Sequence, residues 1–369
     1  MVNNRLGMEK DISGCSVFGI LSRQSRSFSG SRIAEGISVM RDRANGLGAG
    51  FAGYGIYPDF PEHFALHLLY DSSVAKNETE EYLRSIFEID RDEPIPIAAG
   101  RLHCPQLLWR YFARVRPNLL PLLSEEEQVV SSVMRINREI VGAFVISSGK
   151  NLGVFKGVGW PEEVAEFFRL DEYSGYMWLG HGRFPTNSSG WWGGAHPFNL
   201  LDWSVVHNGE VSSYGVNRRY LENFGYNCCL ATDTEVITYL VDLLARRHRV
   251  PLAKLGAILS APLWSEIDLK SEEERKEHER MRIIYGAALL NGPFSIIVGF
   301  NGGMFGLIDR VKLRPMVAAK SPDYFYLSSE EAAVRKLEPQ ISELWHPEGG
   351  KLVLMQIKGQ RSPENSNAA

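Results

Sequence analysis

Residues 180–235 hold most of the side chains in this sequence that could do chemistry: His181, Arg183, Thr186, Asn187, His196, His207, Asn208, Gly209 and Asp233. Taken singly, each is an ordinary loop polar residue or a packed histidine; their grouping is the signal. Arg183 offers a planar fork suited to a carboxylate, and Asp233, at the start of a helical pattern, offers an anion suited to an ammonium. Together they are the two handles needed to hold an α-amino acid by its backbone. Asn208 supplies a side-chain amide and Gly209 a backbone N–H that could converge on one oxygen, as an oxyanion hole requires. Cys15 can supply the nucleophile. It opens the apolar run CSVFGIL directly after Ser13 and Gly14, small residues that suit a cleavage junction. As a free amino terminus, Cys15 would have its own α-amine, with an ordinary pKa near ~7.7 to 8.0, as base for its thiol.

The elements that must position these groups are short. Strand-like runs rich in Val, Ile, Phe and Tyr recur at 16–21, 50–57, 63–70, 141–147, 176–181, 204–207, 295–300, 324–327 and 352–357. Helical patterns fall at 33–43, 79–87, 125–140, 161–170, 234–247 and 271–283. Strands close together in sequence favour antiparallel pairing, so the class is α+β in layers rather than a doubly wound parallel sheet. Residues 103–140, basic and aromatic and then acidic, are expected to be an insertion decorating the domain. The uncharged stretch 283–308 is punctuated by Gly, Asn and Pro and reads as short buried strands, not a membrane span.

Other chemistries are excluded by spacing and composition. GLGAGF at 46–51 precedes a strand, the reverse of a dinucleotide fingerprint, and KGVGWPEE at 156–163 lacks phosphate-binding spacing. The four cysteines form no CxxC pair and there is no HExxH, so no metal site is expected; adjacent Cys228 and Cys229 read as buried packing residues. With 40 Lys plus Arg against 44 Asp plus Glu, a net charge of -4 and no basic cluster, the composition argues against nucleic acid and anionic membranes as partners. The first fourteen residues lack the apolar core of a secretory signal, and a cytoplasmic protein is expected.

The blocks CSVFGI at Cys15, RANGLGAGFAGYGI from Arg43, GRFPTN from Gly182, AHPF from Ala195, HNGE from His207, TDTE from Thr232, GPFSIIV, DRVKLRP and SSE resemble the class II glutamine amidotransferases, whose glutaminase is an N-terminal-nucleophile hydrolase. The resemblance implies a four-layer αββα sandwich with two antiparallel sheets between helical layers. It implies Cys15 as nucleophile, Asn208 and Gly209 as oxyanion hole, Arg183 and Asp233 as partners of glutamine's carboxylate and α-amine, Thr186 and His196 as pocket lining, and Arg43 as a brace for the nucleophile. The expected organisation is a propeptide over 1–14, an amidotransferase domain over 15–358 with the insertion around 103–140, and a disordered tail over 359–369.

Residues 149–170 further resemble the separately encoded amidotransferase subunit of archaeal-type glutamate synthase. That resemblance implies that ammonia from glutamine serves glutamate synthesis from 2-oxoglutarate on a partner subunit carrying FMN and an iron–sulfur cluster, with no cofactor in this chain. Two alternatives stand beside it: an amidotransferase-like subunit of N-methylglutamate synthase or of another amide-transfer complex, and a catalytically silent docking subunit.

Overall fold

The computed structural model describes residues 14–100, 102, 104, 106–184 and 190–358. The expected propeptide up to residue 13, Thr186 and the expected tail 359–369 lie outside the described residues.

Two antiparallel sheets face each other. In the seven-stranded sheet the strand Ser16–Ser22 lies between Met177–Gly182 and Tyr324–Ser328; next to Met177–Gly182 comes Ala49–Tyr54 and then Leu152–Gly157 at the edge. The five-stranded sheet runs Phe198–Leu200, Trp203–Gly209, Phe294–Phe300, Gly303–Ile308 and Val353–Gln356. Every residue of Ser16–Ser22 is buried, and so is every residue of Phe294–Phe300. Such strands are covered on both faces, which explains their unbroken apolar character.

The inner faces meet in a core of Val17, Leu179 and Val154 from one sheet and Val206, Ile297 and Met304 from the other. Outside the first sheet, Phe18 and Phe51 pack on Ile33 and Ile37 of the helix Ser31–Ser38 and on Val164 of Pro161–Phe167. Outside the second, Val205, Ile296 and Val298 pack on Ile237 and Leu240 of Asp233–Val241 and on Leu255 of Leu252–Leu259. Helix, sheet, sheet, helix is the αββα order expected from the sequence.

Several local expectations need correction. Within the expected insertion over 103–140, Leu107–Val115 is an inner strand of a four-stranded sheet with Phe64–Tyr70, Phe87–Pro94 and Ala143–Ser147, not surface decoration. One face of this sheet is buried through Leu66, Leu68 and Ala113 under the helix Glu125–Glu139, and the other through Ala65, Leu69 and Phe112 against Phe155. The stretch 283–308 begins as the end of the helix Glu272–Tyr285, where Ile283 and Ile284 are exposed, and only its second half is the buried hairpin. Cys229 is exposed and Cys228 half-buried, so neither is full packing. Among the described residues no helix is long and apolar enough to cross a membrane.

Candidate active site

The antiparallel register sets Ser16 opposite Gly182, so Cys15 emerges from its strand beside Arg183 and Phe184. The Phe184 backbone N–H donates to Cys15 Sγ at 3.3 Å. Behind the cysteine, the C-terminal blocks close the strand: Val17 N–H donates to Ser329 Oγ at 3.0 Å and Ser329 N–H to the Val17 carbonyl at 2.9 Å. Arg43 Nε donates to the Cys15 carbonyl at 3.4 Å while its Nη1 pairs with Glu330 at 2.9 Å. Arg43 therefore ties the Cys15 backbone to the Glu330 carboxylate.

Asn208 and Gly209 end the strand Trp203–Gly209 of the opposite sheet, in register with Ser295 and Phe294. Asn208 is fully buried, and neither its Oδ1 nor its Nδ2 has a hydrogen-bond partner. Buried amides are almost always satisfied, because leaving one unpaired costs about 1–3 kcal/mol, so such a group marks a site rather than a scaffold. Gly209 has φ +136°, and a β-carbon there would lie 1.9 Å from the Pro293 carbonyl. Only glycine fits at this strand end, packed against the Pro293 carbonyl.

Asp233 opens the helix Asp233–Val241, whose N-cap Thr232 accepts from the Thr234 N–H at 3.3 Å. The helix N-terminus favours an anion there. Its Oδ2 accepts from the Val211 N–H at 2.9 Å, and its Oδ1 lies 3.5 Å from His207 Nδ1. Burial pushes the Asp233 carboxyl up, but His207 and the hydrogen bonds from Val211 and Thr234 outweigh it and leave it below the usual range. At Cys15, burial pushes the thiol up; the Phe184 N–H and the Arg183 and Arg314 guanidiniums oppose that rise, and Asp233 adds to it. Arg183 is itself buried, and burial holds its guanidinium below its ordinary value while Cys15 and Asp233 raise it. Cys15 thus lies in the field of a buried cation and a partly buried anion, with an unpaired amide across from it.

Below these groups lies a histidine stack that single-residue reasoning only half found. The His181 and His196 rings are 4.1 Å apart and nearly parallel. His181 Nε2 donates to the His207 carbonyl at 3.0 Å, and Thr234 Oγ1 links His207 Nδ1 at 3.2 Å to His196 Nε2 at 3.3 Å. Burial drives His181 down to about 3 and His196 well below its ordinary value. His196 therefore belongs to the floor of the site, packed against Phe198, as a neutral ring. Lys156 was passed over as part of a glycine motif; it is buried, its ammonium donates to the Gly193 carbonyl at 2.9 Å and lies 4.2 Å from the Phe198 ring centre. Among the described residues no group of three or more His, Cys, Asp or Glu could hold a metal ion.

The model of the glutamine amidotransferases class-II family matches residues 126–228. Relatives extend the likeness over most of the chain. An uncharacterized protein of Archaeoglobus fulgidus is 46% identical over 95% of this chain and 94% of its own length. A provisionally named glutamine amidotransferase of Methanothermobacter thermautotrophicus is 24% identical over 88% of this chain and 93% of its own. The chain belongs to the class II glutamine amidotransferases. A third relative, the glutamine amidotransferase-like protein GlxB of Rhizobium meliloti, is 28% identical over 55% of this chain and 59% of its own. Within this amidotransferase the described site brings together Cys15, Arg43, Arg183, His196, Asn208, Gly209 and Asp233, from the ends of strands in both sheets, the short helical turn Arg41–Arg43, the start of Asp233–Val241 and the loop that carries His196. Arg314, Ser329 and Glu330 complete it. They stand in the C-terminal blocks DRVKLRP and SSE, which were the available signal for them.

Proposed function

We propose that the protein is a glutaminase that acts after removal of residues 1–14, with Cys15 as amino-terminal nucleophile. The observation that supports this most strongly is the fully buried Asn208 amide without a partner, across from a cysteine flanked by Arg183 and Asp233. Glutamine would be held by its carboxylate on Arg183 and its α-ammonium on Asp233, which sets its side-chain amide toward the sulfur. Cys15 Sγ attacks the amide carbon; the thiol proton passes to the α-amine, and the Asn208 Nδ2–H and Gly209 N–H donate to the oxyanion. The C–N bond then breaks, the amine returns the proton to the leaving nitrogen, and ammonia departs. Water hydrolyses the thioester to glutamate and restores the thiol.

The acceptor in this reading is 2-oxoglutarate on a separate subunit that carries FMN and an iron–sulfur cluster, in keeping with the resemblance of residues 149–170 to the amidotransferase subunit of archaeal-type glutamate synthase. The test has two parts. Intact mass of the purified protein, before and after a diazoketone analogue of glutamine, should show loss of residues 1–14 and one adduct, absent in Cys15→Ala. A glutaminase-active protein that keeps its Met1 terminus refutes the free-amine mechanism. Glutamate formation from 2-oxoglutarate should require both this chain and a co-purified flavoprotein; incorporation of methylamine in place of ammonia would reassign the acceptor reaction.

A further inference from the structure

An α-amine can take the thiol proton only when it is uncharged, and with an ordinary pKa near ~7.7 to 8.0 most of it is protonated at neutral pH. The groups around the Gly14–Cys15 junction bear directly on this. A β-carbon at Gly14 would lie 3.1 Å from Arg43 Nη2, 3.6 Å from Arg314 Nη1 and 3.7 Å from Asn208 Oδ1. Two guanidiniums therefore flank the spot where the new terminus would form. They are not equivalent. Arg43 is neutralised by Glu330 at 2.9 Å. Arg314 has no ion-pair partner among the described residues, and its Nε is buried without a hydrogen bond.

Nor is Arg314 placed there by chance of a long side chain. The buried Asp309 carboxylate accepts the Val311 N–H at 3.1 Å and the Leu313 N–H at 2.9 Å, which fixes the loop that presents Arg314. The remaining charges that face Cys15 are Arg183 and Asp233, one of each sign. In the proposed complex both are taken up by glutamine, Arg183 by its carboxylate and Asp233 by its ammonium. The uncompensated charge beside the terminus is then that of Arg314.

We propose that Arg314 is the positioning residue that keeps the α-amine of processed Cys15 uncharged, by repelling the ammonium form, and so poises it as the base. The inference rests on the proposed Cys15 mechanism and adds to it the group that sets its working pH. Because Arg314 is only partly buried, solvent screens the repulsion, and the effect corresponds to about half to one pH unit.

The experiment follows alkylation of Cys15 by the diazoketone glutamine analogue, which needs no partner subunit, from about pH 5.5 to 9.5. Wild type, Arg314→Lys and Arg314→Met are compared, each with its amino terminus checked by intact mass. Removing the positive charge lets the amine hold its proton longer, so the acid limb of Arg314→Met should move up by about half to one pH unit. That makes it roughly three- to tenfold slower on the acid limb, with the rate recovering at high pH. Arg314→Lys should keep the wild-type limb. A purely structural role would slow alkylation equally at every pH, and an unmoved limb in Arg314→Met overturns the inference. Should that variant not fold or not be processed, wild type decides: raising ionic strength screens Arg314 and must move the limb the same way. Wild type that begins before Cys15 and still reacts overturns the free-amine mechanism itself, a result separable from a correctly processed protein whose limb does not move.

Discussion

Asn208→Ala separates what Asn208 does for the reaction from what it does for the fold. In the free protein the amide is fully buried and makes no hydrogen bond through either polar atom. Replacing it removes an unpaired buried polar group, worth about 1–3 kcal/mol in favour of the variant, and leaves a small void that costs about the same. Stability should therefore change by no more than about 2 kcal/mol, which for a chain of this size is a shift of roughly 1–3 °C in the unfolding midpoint. The reaction fares differently. An oxyanion donor contributes about 3–4 kcal/mol to the barrier, so turnover should fall by about a hundredfold to a thousandfold while glutamine binding is largely kept. Thermal unfolding and steady-state glutaminase assays on the same preparation read both numbers. A variant that loses many degrees of stability and little activity would make Asn208 a structural residue and refute the oxyanion assignment.

Three further outcomes follow from the geometry. Gly209→Ala forces a β-carbon to 1.9 Å from the Pro293 carbonyl at φ +136°, so it should cost more than about 3 kcal/mol, read as a fall in unfolding midpoint or loss of soluble protein; an unchanged midpoint would contradict the tight strand end. Asp233→Asn keeps an acceptor for the Val211 N–H but removes the anion, and kcat/KM for glutamine should drop by about ten- to a hundredfold, chiefly through KM; an unchanged value would remove Asp233 as the ammonium handle. His181, held neutral down to about 3, stays unprotonated in the fold while the unfolded chain takes up a proton below about pH 6.5, so its contribution to stability is lost as pH falls from there toward 3. Glu235, raised to about 7, acts in the opposite sense over the upper part of that range, so the histidine's share is isolated by difference. Urea unfolding between about pH 7.5 and 5 should show His181→Phe about 2 kcal/mol less acid-sensitive than wild type, and equal sensitivity would count against the buried neutral ring.

The central strands were readable because both of their faces are buried, which leaves an apolar run that nothing else explains. The strand Ser16–Ser22 was expected within a residue of its observed end. The strand Phe87–Pro94, FEIDRDEP, was not legible, because much of its charge is satisfied by the neighbouring strand, which the local sequence does not reveal. Arg110 Nε donates to Glu93 at 2.8 Å and Arg114 to Asp90 at 3.0 Å, and these pairs turn a charged, loop-like segment into a sheet edge. Leu152–Gly157 was hidden by Lys156, since a lysine in a strand normally argues for an exposed face. Here a carbonyl and an aromatic face receive the ammonium inside the protein.

The site divides along the same line. Arg183, Asn208, Gly209 and Asp233 could be named because each follows or opens an element that its own neighbours define, and each side chain or N–H has an evident use toward an amino acid. Arg43 and Arg314 have no such local meaning. What they do depends on Gly14 and Cys15, which lie about thirty residues from one and three hundred from the other, and on whether a carboxylate such as Glu330 is folded against them. Arg43 and Arg314 share a residue type and nearly a location, yet Arg43 is paired with Glu330 and Arg314 has no ion-pair partner among the described residues. That difference is invisible in a list of residues; it is set by a single ion pair, and it is the reason why a charge-removing change should move the pH limb at Arg314 more than at Arg43.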